Sequence, residues 1–158
     1  MSKTLVVFFS ASGTTKRVSE KLAAAIGSDL YEIQPAVPYT NADLNWQDGN
    51  SRSSLEMKDP SSRPELAGHL NNLEDYDRIF LGFPIWWYTA PTIVRSFLEG
   101  SDFTGKKIIL FATSGGSGFG KTAQDLAPSC PGAEILEGKL LNGNPSEAAL
   151  KKWVEGIS

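Results

Sequence analysis

Residues 5–15 read Leu-Val-Val-Phe-Phe-Ser-Ala-Ser-Gly-Thr-Thr. The run Leu5 to Phe9 is apolar at every position, with no polar residue alternating in it. A strand with one wet face alternates, whereas a strand covered on both faces reads as a continuous apolar run, as in a parallel sheet with helices above and below. Ser10 to Thr15 then interrupts the run with small and hydroxyl residues. Beyond it Val18, Leu22 and Ile26 recur every fourth residue, one face of a helix that Gly27 closes. A buried strand, a short polar loop and an amphipathic helix form the opening unit of an α/β fold.

The unit repeats along the chain. Leu30 to Ile33 reads as a second strand. Arg78 to Phe83 is a third, followed by a helix from Pro91 to Leu98 with proline near its start. Ile108 to Ala112 is a fourth, followed by a short helix from about Gly120 that Pro128 stops. Glu134 to Leu141 is a fifth. The last helix is expected to start with Asn144 as its cap, Pro145 at the first position and Glu147 completing a capping box. Leu150, Trp153, Val154 and Ile157 then share one face. The expected fold is α/β, an open doubly wound five-stranded parallel sheet flanked by helices, with 1–158 as a single domain. The segment Gln34 to Asp75 is irregular and carries Pro35, Pro38, Pro60 and Pro64. Short helices are expected there at Arg52 to Lys58 and at Pro64 to Asn71.

Composition bounds the function. The chain has 158 residues, of which 41% are hydrophobic, enough to build an ordinary core. A net charge of -3 points to neither a nucleic-acid binder nor a strongly acidic docking surface. The N-terminal apolar run is too short for a signal-peptide core or a membrane helix, so a cytoplasmic protein is expected, with no membrane partner. One cysteine, Cys130, forms no internal disulfide and fits a reducing compartment. One histidine, His69, leaves no Cys/His metal cluster and no Ser-His-Asp triad to assemble. His69 reads as a surface residue and Cys130 as a structural thiol.

In a doubly wound sheet the ligand sits beyond the carboxyl ends of the strands, where the strand order reverses. Three loops leave such ends, and all three are unusual. Ser10-Ala-Ser-Gly-Thr-Thr15 aims backbone N–H groups, hydroxyls and a helix N-terminus at one point, which suits a phosphate. A helix-capping cluster that binds nothing is the alternative. Phe83-Pro-Ile-Trp-Trp-Tyr-Thr-Ala-Pro91 places three aromatics in succession, and adjacent side chains diverge, so they cannot all enter one core. A stacking surface for a planar ligand is the better account of the cluster. Thr113-Ser-Gly-Gly-Ser-Gly-Phe-Gly120 has glycines that let bare N–H groups approach a flat ligand closely.

Residues 115–122, Gly-Gly-Ser-Gly-Phe-Gly-Lys-Thr, also match the P-loop pattern behind an apolar strand. A P-loop enzyme needs an acidic residue at the end of another strand to help hold Mg²⁺. The strand from Arg78 ends in Gly-Phe-Pro, and the one near Ile135 runs into Glu137-Gly138 without an aspartate. The nucleotide reading therefore lacks its second half.

With these three loops in register, the chain resembles the flavodoxins, in particular short members with a Pro-Ile-Trp-Trp loop. The phosphate-loop pattern of that family is matched by Ser10, Ser12, Gly13 and Thr15, the aromatic element by Gly82 to Trp87, and the glycine loop by Thr113 to Gly118. The resemblance implies non-covalent FMN. Its phosphate would lie on Ser10, Ala11, Ser12, Gly13, Thr14 and Thr15. Its ring would lie between the loop of Pro84, Ile85, Trp86, Trp87 and Tyr88 and the loop of Thr113, Ser114, Gly115, Gly116, Ser117, Gly118 and Phe119. One of Trp86 and Trp87 would lie against the ring while the other packs towards protein. The chemistry would be the cofactor's, with no catalytic side chain required. The implied function is a low-potential electron carrier serving a redox partner protein. The alternative is an FMN-dependent reductase whose electron acceptor is a quinone-like small molecule. A non-redox interaction module on the same fold is the third reading. Within the irregular segment, Arg52, Glu56 and Arg63 form either a salt-bridged clasp at the edge of the site or a solvated charge run. Trp46 is either a lid aromatic or a satellite-core residue.

Overall fold

Strand β1 (Thr4–Phe8) is an interior strand of the sheet, and every side chain from Leu5 to Phe8 is buried. It pairs in parallel with β2 (Asp29–Glu32) on one side and with β3 (Arg78–Pro84) on the other. β3 pairs with β4 (Lys107–Thr113), and β4 with β5 (Glu134–Leu140), giving the order β2-β1-β3-β4-β5. The structure, a computed structural model, describes residues 3–10, 13–45, 47–59, 61–68, 70, 73–86, 89–113, 122–141 and 145–157.

Register lines up the core in layers. Val6 stands beside Phe80 and Phe80 beside Ile109, all facing α1 (Thr14–Ile26) and α5 (Glu147–Glu155), which supply Val18, Leu22, Leu150 and Val154. One residue earlier, Leu5, Ile79 and Ile108 face the opposite way, towards α3 (Thr92–Glu99) and α4 (Thr122–Leu126). The apolar run at the head of the chain is thus covered on both faces, as its composition demands. On the α1 face, Gly82 leaves room for the ring of Phe111. A Cβ at Gly82 would stand 2.2 Å from that ring.

The boundaries follow the sequence with a few corrections. Pro128 does not end α4 abruptly but sits in a 3-10 turn, Ala127–Ser129, that continues it. Proline is tolerated there because the first turn of a helix asks for no N–H bond from it. The cap of α5 is Ser146, whose Oγ accepts from the N–H of Ala149 at 3.1 Å. Pro145 therefore precedes the helix instead of opening it, and its carbonyl accepts from Lys21 Nζ at 2.9 Å. Asn144 lies outside the described residues.

The irregular segment is a closed excursion. Ala36 N–H donates to Glu65 O and Ala67 N–H to Gln34 O, both at 2.8 Å, which pins its two ends in an antiparallel bridge between Pro35 and Leu66. These backbone bonds go across the segment, so the helix expected at Pro64 to Asn71 does not form. A short 3-10 turn, Leu73–Asp75, precedes β3 instead. The expected helix α2 (Arg52–Lys58) is present, with Ser51 as its cap. Trp46 and His69 lie outside the described residues. No helix among the described residues is long and apolar enough to cross a membrane.

Candidate functional site

The chain leaves β1 towards β2 but its next neighbour in the sheet is β3, so strand order reverses between β1 and β3. The loops after β1, β3 and β4 all open at this pole. Hydrogen bonds tie the three together. Phe9 N–H donates to Gly82 O and Ile85 N–H to Thr113 O, each at 2.9 Å, and the hydroxyls of Thr15 and Thr113 share a buried bond of 2.8 Å. Residues 98 apart in sequence therefore hold the first and third loops in fixed relation.

In the first loop the N–H of Gly13 donates to Ser10 Oγ at 3.0 Å. Gly13 is the cap residue of α1 with φ +94, a left-handed conformation, and as a glycine it offers no side-chain cap of its own. The first turn of α1 also lacks an acidic residue. A helix start with glycine as its cap and no carboxylate in its first turn is complementary to an anion brought from outside. Thr15 is buried with Ser19 Oγ donating to its carbonyl at 2.7 Å, so the base of the loop is rigid. Ala11 and Ser12 lie outside the described residues.

The second loop turns at once. Trp86 and Thr89 exchange two backbone hydrogen bonds, of 2.9 and 3.1 Å, and so close the chain on itself between them; Trp87 and Tyr88 lie outside the described residues. Trp86 packs towards protein: its ring stands edge-on to Phe9 at 6.0 Å and to Tyr39 at 5.8 Å. The far end of the turn is also tied, because Thr89 Oγ1 donates to Asp125 Oδ2 of α4 at 2.8 Å. Pro84 ends β3, and Ile85 is buried beneath the turn.

Of the third loop, Thr113 is described, while Ser114, Gly115, Gly116, Ser117, Gly118 and Phe119 are not. Of the P-loop match, Thr122 alone is described, as the buried first residue of α4.

Two residues at this pole carried no signal in the sequence, Tyr39 and Asp125, and Phe9 read only as the last residue of the buried apolar run. Tyr39 comes from the excursion, and its environment is distinctive. The Arg52 guanidinium carbon lies 3.9 Å from the centre of its ring, and its hydroxyl donates to Glu56 Oε1 at 2.5 Å. Burial and the Glu56 bond push its phenol well above the ordinary range, so it remains a neutral donor. Arg52 and Glu56, one helical turn apart, pair at 3.0 Å. The expected clasp is thus half formed. Arg63 pairs with Glu99 on α3 instead, at 2.8 Å. Beside the first loop, a cleft of about 480 Å³ is lined by Phe9, Ser10, Gln34, Pro38 and Tyr39 among others. Cys130 is buried, and burial raises its thiol pKa, as expected of a structural cysteine.

A five-stranded parallel sheet of this order, with a glycine-capped helix start and an aromatic turn at its switch point, defines a flavodoxin-like α/β protein. The family model described as Flavodoxin matches residues 3–157, and the chain belongs to that family. Among solved structures, a candidate flavoprotein from Bacteroides eggerthii is 49% identical. Its TM-score is 0.93, and the match covers 99% of this chain and 98% of that one. A flavoprotein from Lactobacillus acidophilus, determined in complex with FMN, has the same fold at 20% identity and TM-score 0.71, over 98% and 99% of the two chains. NAD(P)H dehydrogenase [quinone] 1 of Rattus norvegicus is 25% identical over 116 residues, 59% of this chain. The chain spans 42% of that curated relative's length.

Proposed function

We propose that this chain binds FMN non-covalently in the crevice between β1 and β3 and works as a low-potential electron carrier to a partner protein. The observation that carries the reading is the glycine-capped, carboxylate-free start of α1 at Gly13, tied through Thr15 to Thr113 at the head of the third loop. The phosphate fits the N–H groups and hydroxyls of Ser10 to Thr15. No lysine lies within that loop, so oriented dipoles alone neutralise the phosphate. Trp86 packs against Phe9 and Tyr39, which favours Trp87 for the stacking position. The glycines at 115, 116 and 118 present N–H groups to the pyrimidine edge. Bound FMN supplies the electron-transfer chemistry, and the protein sets how readily it accepts charge. An apolar crevice with Asp125 beside the aromatic turn disfavours added negative charge there and lowers the potential.

A second reading, an FMN-dependent reductase of quinone-like molecules, draws on the rat relative's name and on the cleft next to Ser10. Titrating apoprotein with FMN, FAD and Mg-ATP tests the cofactor: FMN should bind at sub-micromolar concentration and most tightly. Preference for Mg-ATP would revive the P-loop account and sink this one. Reduction of the bound flavin by a nicotinamide without a separate reductase would favour the reductase over the carrier.

A further inference from the structure

We infer that Tyr39, clamped by Arg52 and Glu56, is a positioning residue that fixes Trp86 and so preorganises the aromatic turn 86–89 for the flavin. The inference rests on the proposed FMN site and gives a role to the excursion between Gln34 and Ala67.

Three rings meet at the carboxyl end of β1. Phe9 and Tyr39 are 5.6 Å apart at 67°, Tyr39 and Trp86 5.8 Å at 77°, and Phe9 and Trp86 6.0 Å at 87°. Each ring meets both others edge to face, the arrangement that aromatic quadrupoles favour. Three mutual contacts leave the indole plane of Trp86 little room to turn. Phe9 is 1% exposed and belongs to the central strand's apolar run, so it is an immovable wall. Tyr39 is the adjustable member, because it arrives on an irregular segment.

That segment removes the adjustment. The guanidinium of Arg52 covers one face of the Tyr39 ring, and Glu56 holds its hydroxyl. Arg52 Nη1 also donates to the carbonyl of Val37, two residues before Tyr39, at 2.7 Å. One turn of α2 thus grips the ring by its face, its tip and its backbone approach. Trp86 is in turn the residue whose backbone pairs with Thr89, so fixing it anchors the start of the turn. Ordering these groups before the ligand arrives removes that entropic cost from binding.

The excursion has a second tether at a distance from this cluster, the forked Arg63–Glu99 pair, with bonds of 2.8 and 2.9 Å. It supplies the control. The experiment compares Tyr39→Ala, Tyr39→Phe, Arg52→Met and Arg63→Met. For each, FMN is titrated into apoprotein, the visible circular dichroism of the bound flavin is recorded, and apoprotein melting is measured. Tyr39→Ala should weaken FMN binding by about three- to tenfold, the worth of one aromatic pair, and change the flavin dichroism. Tyr39→Phe keeps the ring and should restore most of both. Arg52→Met should move both in the same direction by less, which keeps the idea testable if Tyr39→Ala fails to fold. Arg63→Met should lower the melting temperature with affinity and dichroism unchanged. If Tyr39→Ala and Arg52→Met change affinity and dichroism no more than Arg63→Met does, the excursion merely stabilises the fold and the inference is overturned. Absence of FMN binding by the wild-type protein would be a different failure, overturning the proposed site and this inference together.

Discussion

Gly13 and Gly82 show two distinct reasons for a glycine at one site. At Gly13 the backbone is left-handed and nothing lies within 4 Å of where a Cβ would stand. The cost of a side chain there is conformational alone, about 1–2 kcal/mol. Gly82 has ordinary backbone, but its Cβ would overlap the ring of Phe111, which is fully buried and cannot swing away. Overpacking of this kind costs typically 1–3 kcal/mol and more where the neighbour is rigid. Urea denaturation of the two apoproteins should therefore rank Gly82→Ala as the more damaging. Gly13→Ala should be tolerated by the fold and act mainly on FMN affinity, because it disturbs the N–H geometry of the first loop. The reverse ranking would show that Phe111 repacks and that Gly82 is not held by contact.

At the scale of elements, the aromatic turn hangs between two supports, Trp86 on the ring cluster and Thr89 on α4. The Thr89–Asp125 bond joins the loop after β3 to α4, so in the proposed site it would set the space left for the ring. Thr89→Val keeps the shape and deletes the donor. A hydrogen bond to a charged group contributes about 1.5–3 kcal/mol. Part of that should appear as a severalfold rise in the FMN dissociation constant, measured by fluorescence titration, with the carboxylate of Asp125 left in place. Asp125→Asn retains an acceptor and should bind FMN nearly as wild type. Equal affinity in Thr89→Val and wild type would mean that this spacing does not matter. The elements themselves were legible because burial on both faces writes a continuous run, as in Leu5 to Phe9, and because Val18, Leu22 and Ile26 mark one helix face. The loops after β1 and β3 stood out because their compositions are unusual, while Ser114 to Phe119 of the third lie outside the described residues. Asp125 was not, since its partner lies 36 residues away and an aspartate in a helix reads as a solvated charge. The start of α5 was ambiguous for a local reason: Asn144 and Ser146 are both good caps, and only the bond to Ala149 chooses between them. The helix expected at Pro64 to Asn71 was overruled by backbone pairing with Gln34 and Ala36, contacts that no local pattern encodes.

Across the whole molecule, the excursion spans both ends of α3. Tyr39 meets Trp86 at the pole where the aromatic turn precedes α3, and Arg63 reaches Glu99 at the helix's last turn. Glu99 also accepts from Ser129 Oγ at 2.8 Å, so one carboxylate joins the excursion, α3 and the turn before β5. The hydrogen bond from Arg63 is the main cause of the lowered pKa of Glu99. A carboxyl whose pKa is depressed on folding stabilises the protein above its unfolded pKa and loses that contribution as pH falls through the folded value. Its side chain is 41% exposed, so solvent screening keeps the contribution below about 1 kcal/mol. Glu99→Gln should melt slightly below wild type at neutral pH. The gap should close as acid protonates Glu99 in the wild type, below the ordinary carboxylate range, and should narrow with added salt. Because this tether is remote from the aromatic cluster, FMN affinity should not follow the melting temperature. A gap that persists unchanged at low pH would mean that glutamate matters there for its shape and its bond from Ser129, and not for its charge.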